Sequence, residues 1–186
     1  MLIISKKICF LGDFAVGKTS LIRRFIQRKF SGQYLSTVGV RVSQTNIQLA
    51  ALDIQTNQSL ELILWDMEGG SAIENPSASY FHEADGTIIV ADIRRPQTIN
   101  NISRYIDLFS CFNPKKIIII ALNKIDLVHE ADLENFLSLA CLEQNNFIFS
   151  IYRTSAKTGE NVDAVFRTLI SHLVNHEWSQ PYCDLA

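Results

Sequence analysis

Ile8-Cys9-Phe10-Leu11, running into Gly12-Asp13-Phe14-Ala15-Val16-Gly17-Lys18-Thr19, is the stretch on which the fold turns. The apolar run reads as a buried strand and the glycine-bounded segment as a loop. A helix follows from about Lys18 to Arg28, with Leu21, Ile22, Phe25 and Ile26 on one face. Strand, loop and helix in that order frame a match to G-x-x-x-x-G-K-[ST], the pattern of a phosphate-cradling loop. Gly12 and Gly17 admit backbone conformations closed to other residues, so successive N–H groups can turn toward an anion. The helix start adds its positive dipole end. Lys18 supplies a point charge for β- and γ-phosphates, and the Thr19 hydroxyl is a magnesium ligand.

Outward from this stretch, short β-rich runs alternate with helical periodicity. Val40 to Ile54 and Leu60 to Trp65 read as a hairpin turning near Thr56-Asn57-Gln58. Gly86 to Ala91 and Ile117 to Leu122 are near-continuous apolar runs, expected of parallel strands covered on both faces. Phe147 to Tyr152 reads as a last strand. Helical stretches lie near Ile99 to Phe112 and Ala131 to Glu143. A final helix, about Val162 to His176, carries Val162, Val165, Phe166, Leu169, Ile170 and Leu173 on one stripe. The expectation is an α/β fold: a doubly wound, mostly parallel six-stranded sheet flanked by about five helices. Residues 1–176 form one domain and 177–186 a short tail. Ligands in such sheets bind at the carboxyl ends of the strands.

The totals exclude several alternatives. A chain of 186 residues with 47% apolar residues suits one ordinary globular core. With 17 basic and 19 acidic residues the net charge is −2, so no bulk pull toward nucleic acid is expected. No apolar run approaches the roughly 20 residues that span a bilayer, and Met1 to Lys7 does not read as a signal peptide. Cys9, Cys111, Cys141 and Cys183 lack metal or redox spacing, so free thiols in a reducing cytoplasm are expected.

Asn123-Lys124-Ile125-Asp126 follows the apolar strand directly and bears on the choice of base. A carboxylate at Asp126 can accept from the guanine N1–H and exocyclic amine together. Adenine offers no such donor pair and would leave the carboxylate unmatched. Asn123 can tie neighbouring loops, and the Lys124 stem can lie along the ring.

With these motifs in order, the chain resembles the Ras superfamily of small GTPases, most closely its Rab-like branch, from Ile8 to about Leu173. Tyr34-Leu35-Ser36-Thr37-Val38-Gly39 looks like the family's switch I, and Trp65-Asp66-Met67-Glu68-Gly69 fits the D-x-x-G that opens switch II. Ser155-Ala156-Lys157 looks like the last guanine-contacting loop. The resemblance implies GTP and GDP as ligands with Mg2+ as cofactor. It implies contact with the nucleotide from Gly12, Asp13, Phe14, Ala15, Val16, Gly17, Lys18, Thr19, Ser20, Phe30, Tyr34, Thr37, Asn123, Lys124, Asp126, Ser155, Ala156 and Lys157. Thr19, Thr37 and Asp66 would hold magnesium, Asp66 through water. Phe30 would stack edgewise on the guanine, and the Gly69 N–H would sense the γ-phosphate. Lys18, Thr37 and Gly69 would form the catalytic set, to which Glu68, a departure from the family's pattern, is added as a candidate for positioning the water. Effectors, an exchange factor and an activating protein are the implied partners of a monomer.

Three departures gather at the γ-phosphate. Gly70 stands where most active relatives carry a glutamine that orients water. Phe14 replaces a small residue of the phosphate loop, and Glu68 replaces a small residue of D-x-x-G, bringing a carboxylate toward like-charged phosphates. Slow intrinsic hydrolysis is the expectation, with a non-hydrolysing GTP-binding scaffold as the alternative. A nucleotide kinase would leave Asn123 to Asp126 unexplained. Gln48 to Leu60 is expected to project as a long hairpin. The basic residues Arg23, Arg24, Arg28 and Lys29 are expected on a solvated helix face. Cys183-Asp184-Leu185-Ala186 satisfies C-a-a-X, but its acidic second residue and the lack of a polybasic stretch weigh against prenylation. A cytoplasmic protein is therefore expected, with peripheral membrane contact the weaker alternative.

Overall fold

A computed structural model describes residues 3–30, 39–49, 59–69, 78–128 and 148–178. Six strands form one sheet in the order β2-β3-β1-β4-β5-β6. They are β1 (Ile3–Leu11), β2 (Val40–Gln48), β3 (Ser59–Met67), β4 (Gly86–Asp92), β5 (Ile117–Asn123) and β6 (Ile148–Thr154). Only β2 runs antiparallel, against β3, with Arg41 opposite Asp66. All other neighbours are parallel. The mostly parallel, doubly wound α/β sheet is thus as expected.

Period-two alternation explains the two layers. Ile8, Phe10, Ile88, Val90, Ile119 and Ala121 face one helical layer, which contributes Leu21, Ile22, Phe166 and Leu169. Cys9, Leu11, Ile89, Ala91, Ile118 and Ile120 face the other, with Tyr105, Ile106 and Phe109. Every residue of β4 and β5 is buried, as continuous apolar strands require.

Among the described residues, three helices of ten residues or more flank the sheet, fewer than the five expected. They are α1 (Lys18–Gln27), α4 (Ile102–Phe112) and α5 (Val162–Trp178). Two others are about one turn each: α2 (Ala78–Phe81) and α3 (Pro96–Asn100). The single helix expected from Ile99 to Phe112 is divided at Asn101, which closes α3 and opens α4. The expected helix from Ala131 to Glu143, the hairpin turn and the C-terminal residues from 179 lie outside the described residues.

The first strand begins five residues earlier than its apolar run. Lys6 and Lys7 hid it, because their charges are met within the fold. Asp85 lies 3.5 Å from the Lys6 ammonium, and Lys7 Nζ sits 4.2 Å above the Trp65 ring. Helix α1 ends at Arg28 in the left-handed conformation, its N–H donating to Arg24 O. It packs on α5 through stacked Phe25 and Phe166, centroids 3.7 Å apart. On the basic face of α1, Arg28 and Lys29 are exposed as expected and Arg23 and Arg24 are half-buried; Arg24 Nη2 donates to Lys157 O at 2.9 Å, and Arg28 pairs with Asp163 at the surface. Cys9 is buried, which pushes its thiol up to about 12, so it serves as an apolar core residue.

Candidate functional site

The loop between β1 and α1 lies at the carboxyl ends of the parallel strands, where β1 sits between β3 and β4. Three side chains from the neighbouring strand ends hold three successive loop carbonyls. Arg95 Nη2 donates to Phe14 O at 2.7 Å, Lys124 Nζ to Ala15 O at 2.6 Å, and Asn123 Nδ2 to Val16 O at 2.9 Å. In a trans peptide the N–H points away from the C=O of the same plane. Pulling these carbonyls outward therefore turns the amides of Ala15, Val16 and Gly17 inward. The result is a concave row of N–H dipoles at the start of α1, the form of an anion nest.

The backbone conformations fit this form. Ala15 (φ 60°) and Gly17 (φ 108°) are both left-handed. Gly17 also meets a steric demand, since a Cβ there would lie 2.2 Å from Asn123 Nδ2. The phosphate loop and the Asn123 segment are therefore in direct contact. Asp13 anchors the other side, accepting from Tyr105 Oη at 2.8 Å and Asn101 Nδ2 at 2.9 Å.

Lys18 reaches across the loop, its Nζ donating to Gly12 O at 2.8 Å and Asp13 O at 3.0 Å. Burial pushes its ammonium down to about 8, against the pull of Asp66 and Asp13. Beside it, Thr19 Oγ1 donates to Asp66 Oδ2 at 2.5 Å. Hydroxyl and carboxylate are hard oxygen donors, and no cluster of three metal-ligating His, Cys, Asp or Glu exists among the described residues. That sparse set suits magnesium, which keeps several waters and takes one or two protein oxygens together with phosphate.

At the carboxyl end of β5, Asn123 is a buried knot. Its Oδ1 accepts from the Ala156 N–H at 3.1 Å, so Asn123 is the partner of that amide. Asp126 accepts from Ser155 Oγ at 2.6 Å and has Lys157 Nζ 3.8 Å from its other oxygen. The structure thus brings Asn123, Asp126, Ser155, Ala156 and Lys157 to one corner, as the motifs suggested. Phe30 is exposed just after α1. Tyr34, Thr37 and Gly70 lie outside the described residues.

Two switch-segment residues show unexpected placements. Gly69 is laid against the phosphate loop so closely that a Cβ on it would fall 2.3 Å from Phe14 Cα. Glu68 is engaged at Gly39. Its Oε2 accepts from the Gly39 N–H at 3.0 Å, while its own N–H donates to Gly39 O at 2.8 Å. This extends the β2–β3 pairing by one step and ties the end of switch I to the start of switch II, although the carboxylate still favours the charged form of Lys18.

Sequence reasoning missed Asp92 and Arg95. Asp92, at the end of β4, is buried against Lys124 (2.8 Å), Arg94 (3.1 Å) and Arg95 (3.3 Å). Burial alone would raise its pKa, but hydrogen bonds from Arg94 and Lys124 outweigh that and hold the carboxyl below its ordinary value. It thereby orients two of the three carbonyl clamps.

The profile of the Ras family matches residues 7–175. The chain belongs to the Ras family of small GTPases. It is 33% identical over 178 residues to GTP-binding protein ypt5 of Schizosaccharomyces pombe, an alignment covering 91% of this chain and 78% of that protein. It is 28% identical over 170 residues to Ras-related protein Rab11A of Lotus japonicus, covering 91% and 72%. These relatives place the small GTPase in the Rab branch. No helix among its described residues is long and apolar enough to cross a membrane.

Proposed function

We propose that this small GTPase binds GTP and GDP with Mg2+ and recruits effector proteins in its GTP form, with slow intrinsic hydrolysis. The carrying observation is the three outward-held carbonyls of the phosphate loop, two of them clamped by the same Asn123-Lys124 pair that precedes Asp126. On this reading the amides of residues 13–18 and the Lys18 ammonium hold the phosphates, and Asp126 accepts from guanine while Lys157 backs it. Phe30 and Tyr34 line the nucleotide. Thr19, Thr37 and Asp66 hold magnesium. When bound, the metal would supply positive charge to offset the negative charge of the phosphates. Thr37 and the Gly69 N–H report the γ-phosphate to the two switch segments, which Glu68 joins through Gly39. An exchange factor and an activating protein drive the cycle of a cytoplasmic monomer that touches membranes at most peripherally.

Hydrolysis needs a positioned water, and Gly70 has no side chain to position it. Glu68 is engaged at Gly39, which favours slow turnover and gives the scaffold reading its support. Single-turnover GTP cleavage is expected to be about tenfold or more faster in Gly70→Gln than in the natural protein. A natural rate equal to the variant's would sink the slow-hydrolysis claim; no cleavage in either would leave the scaffold.

Lys18 gives a pH dependence. Its pKa of about 8 rises when phosphate supplies a counter-charge, so binding takes up a proton above that pH. Affinity for GDP is fully present below pH 8 and falls as pH rises through it. Titration calorimetry should show this fall, and show it missing in Lys18→Arg. A flat profile in the natural protein would contradict it.

A further inference from the structure

Arg95 belongs to none of the motifs that identify the site. It follows β4, 81 positions from the loop carbonyl it holds. Its guanidinium makes two fixed contacts, Nη2 to Phe14 O at 2.7 Å and Nε to the buried Asp92 carboxylate at 3.3 Å. A planar fork pinned at both ends is pre-organised in a way that a lysine ammonium is not. The carbonyl it holds belongs to the residue against which Gly69 is laid. Lys18 also feels Arg95 as a neighbouring positive charge. Phe14, Gly69, Lys18 and Arg95 therefore converge at one end of the phosphate loop.

We propose that Arg95 is a positioning residue that fixes the Phe14 peptide and adds a second resident positive charge, so that the site discriminates a nucleoside triphosphate from a diphosphate. The inference rests on the guanine-nucleotide reading above. Holding the Phe14 carbonyl outward aims the Ala15 N–H into the cradle, a contribution common to both nucleotides. The charge acts at the end of the loop beside Gly69, the residue expected to meet the terminal phosphate. That contribution weighs more for the ligand bearing the additional phosphate. Asp92 keeps the guanidinium from swinging into solvent and shares its Oδ2 with Lys124, so phosphate end and base end are tensioned from one carboxylate.

The test is stopped-flow release of a fluorescent non-hydrolysable GTP analogue and of fluorescent GDP, in magnesium, from the full-length natural protein, Arg95→Ala and Arg95→Lys. Arg95→Ala is expected to release the GTP analogue about tenfold faster and GDP about threefold faster. Arg95→Lys, which keeps the charge and loses the fork, should restore most of the triphosphate-to-diphosphate ratio while both nucleotides leave faster than from the natural protein. An unchanged ratio in Arg95→Ala overturns the inference whatever happens to its thermal stability, because a merely structural role lowers both affinities alike. A ratio in Arg95→Lys as low as in Arg95→Ala overturns the charge component. A natural protein that binds neither nucleotide fails the underlying reading; one that binds both with an indifferent Arg95→Ala fails this inference alone.

Discussion

Asp126→Asn is expected to weaken GDP binding by roughly a hundredfold to a thousandfold, the scale on which sites built for hydrogen bonding reject a mismatched partner. The Asp126 carboxylate is set for two donors: Ser155 Oγ fixes one oxygen at 2.6 Å, and Lys157 lies 3.8 Å from the other. The amide is nearly isosteric, so the loop should keep its shape and the loss should fall on recognition. One acceptor becomes a donor, which faces the guanine N1–H or amine and leaves a proton without a place. A base carrying a carbonyl in place of that amine, as xanthine does, matches the amide. Calorimetry with GDP and with xanthosine diphosphate should therefore show opposite shifts. Retention of GDP affinity within threefold would remove Asp126 from the base site.

Gly17→Ala should damage both ends of the site at once. Its φ of 108° is strained for any L side chain, and the new Cβ would lie 2.2 Å from Asn123 Nδ2. Asn123 cannot retreat freely, since Nδ2 donates to Val16 O and Oδ1 accepts from the Ala156 N–H. Moving it releases a phosphate-loop carbonyl and loosens the base corner together. A cost of about 2–4 kcal/mol is expected from strain and overpacking, which for a chain of this length lowers Tm by about 5–15 °C. Nucleotide affinity should fall by at least about a hundredfold, because both ends of the site move. A variant with natural Tm and natural GDP release would show that this contact is soft.

The legible parts of the fold were those with a local signature. Gly86 to Ala91 and Ile117 to Leu122 announce buried parallel strands by near-continuous apolar runs, and the glycines of the phosphate loop announce a backbone that other residues resist. The start of β1 was hidden because Lys6 and Lys7 look solvated until Asp85 and Trp65 are brought beside them. The site divided the same way. Lys18, Thr19, Asn123 and Asp126 sit in spaced motifs whose chemistry can be argued from residue type. Arg95, Asp92, Asn101 and Tyr105 act through contacts between distant positions, Asp13 to Tyr105 spanning 92 residues. No periodicity marks such a pair. Glu68 shows a further limit: its charge suggested the phosphates, while strand register delivered it to Gly39.

The central claim is that the clamped loop and the Asn123–Asp126 corner together hold a guanine nucleotide. The most direct measurement is chromatographic identification of the nucleotide released by denaturing the purified full-length protein, paired with calorimetric titration of stripped protein with GDP and ADP in magnesium. The account predicts released guanine nucleotide and GDP binding tighter than ADP by at least about a thousandfold. Released adenine nucleotide, or ADP binding as tightly as GDP, would contradict it.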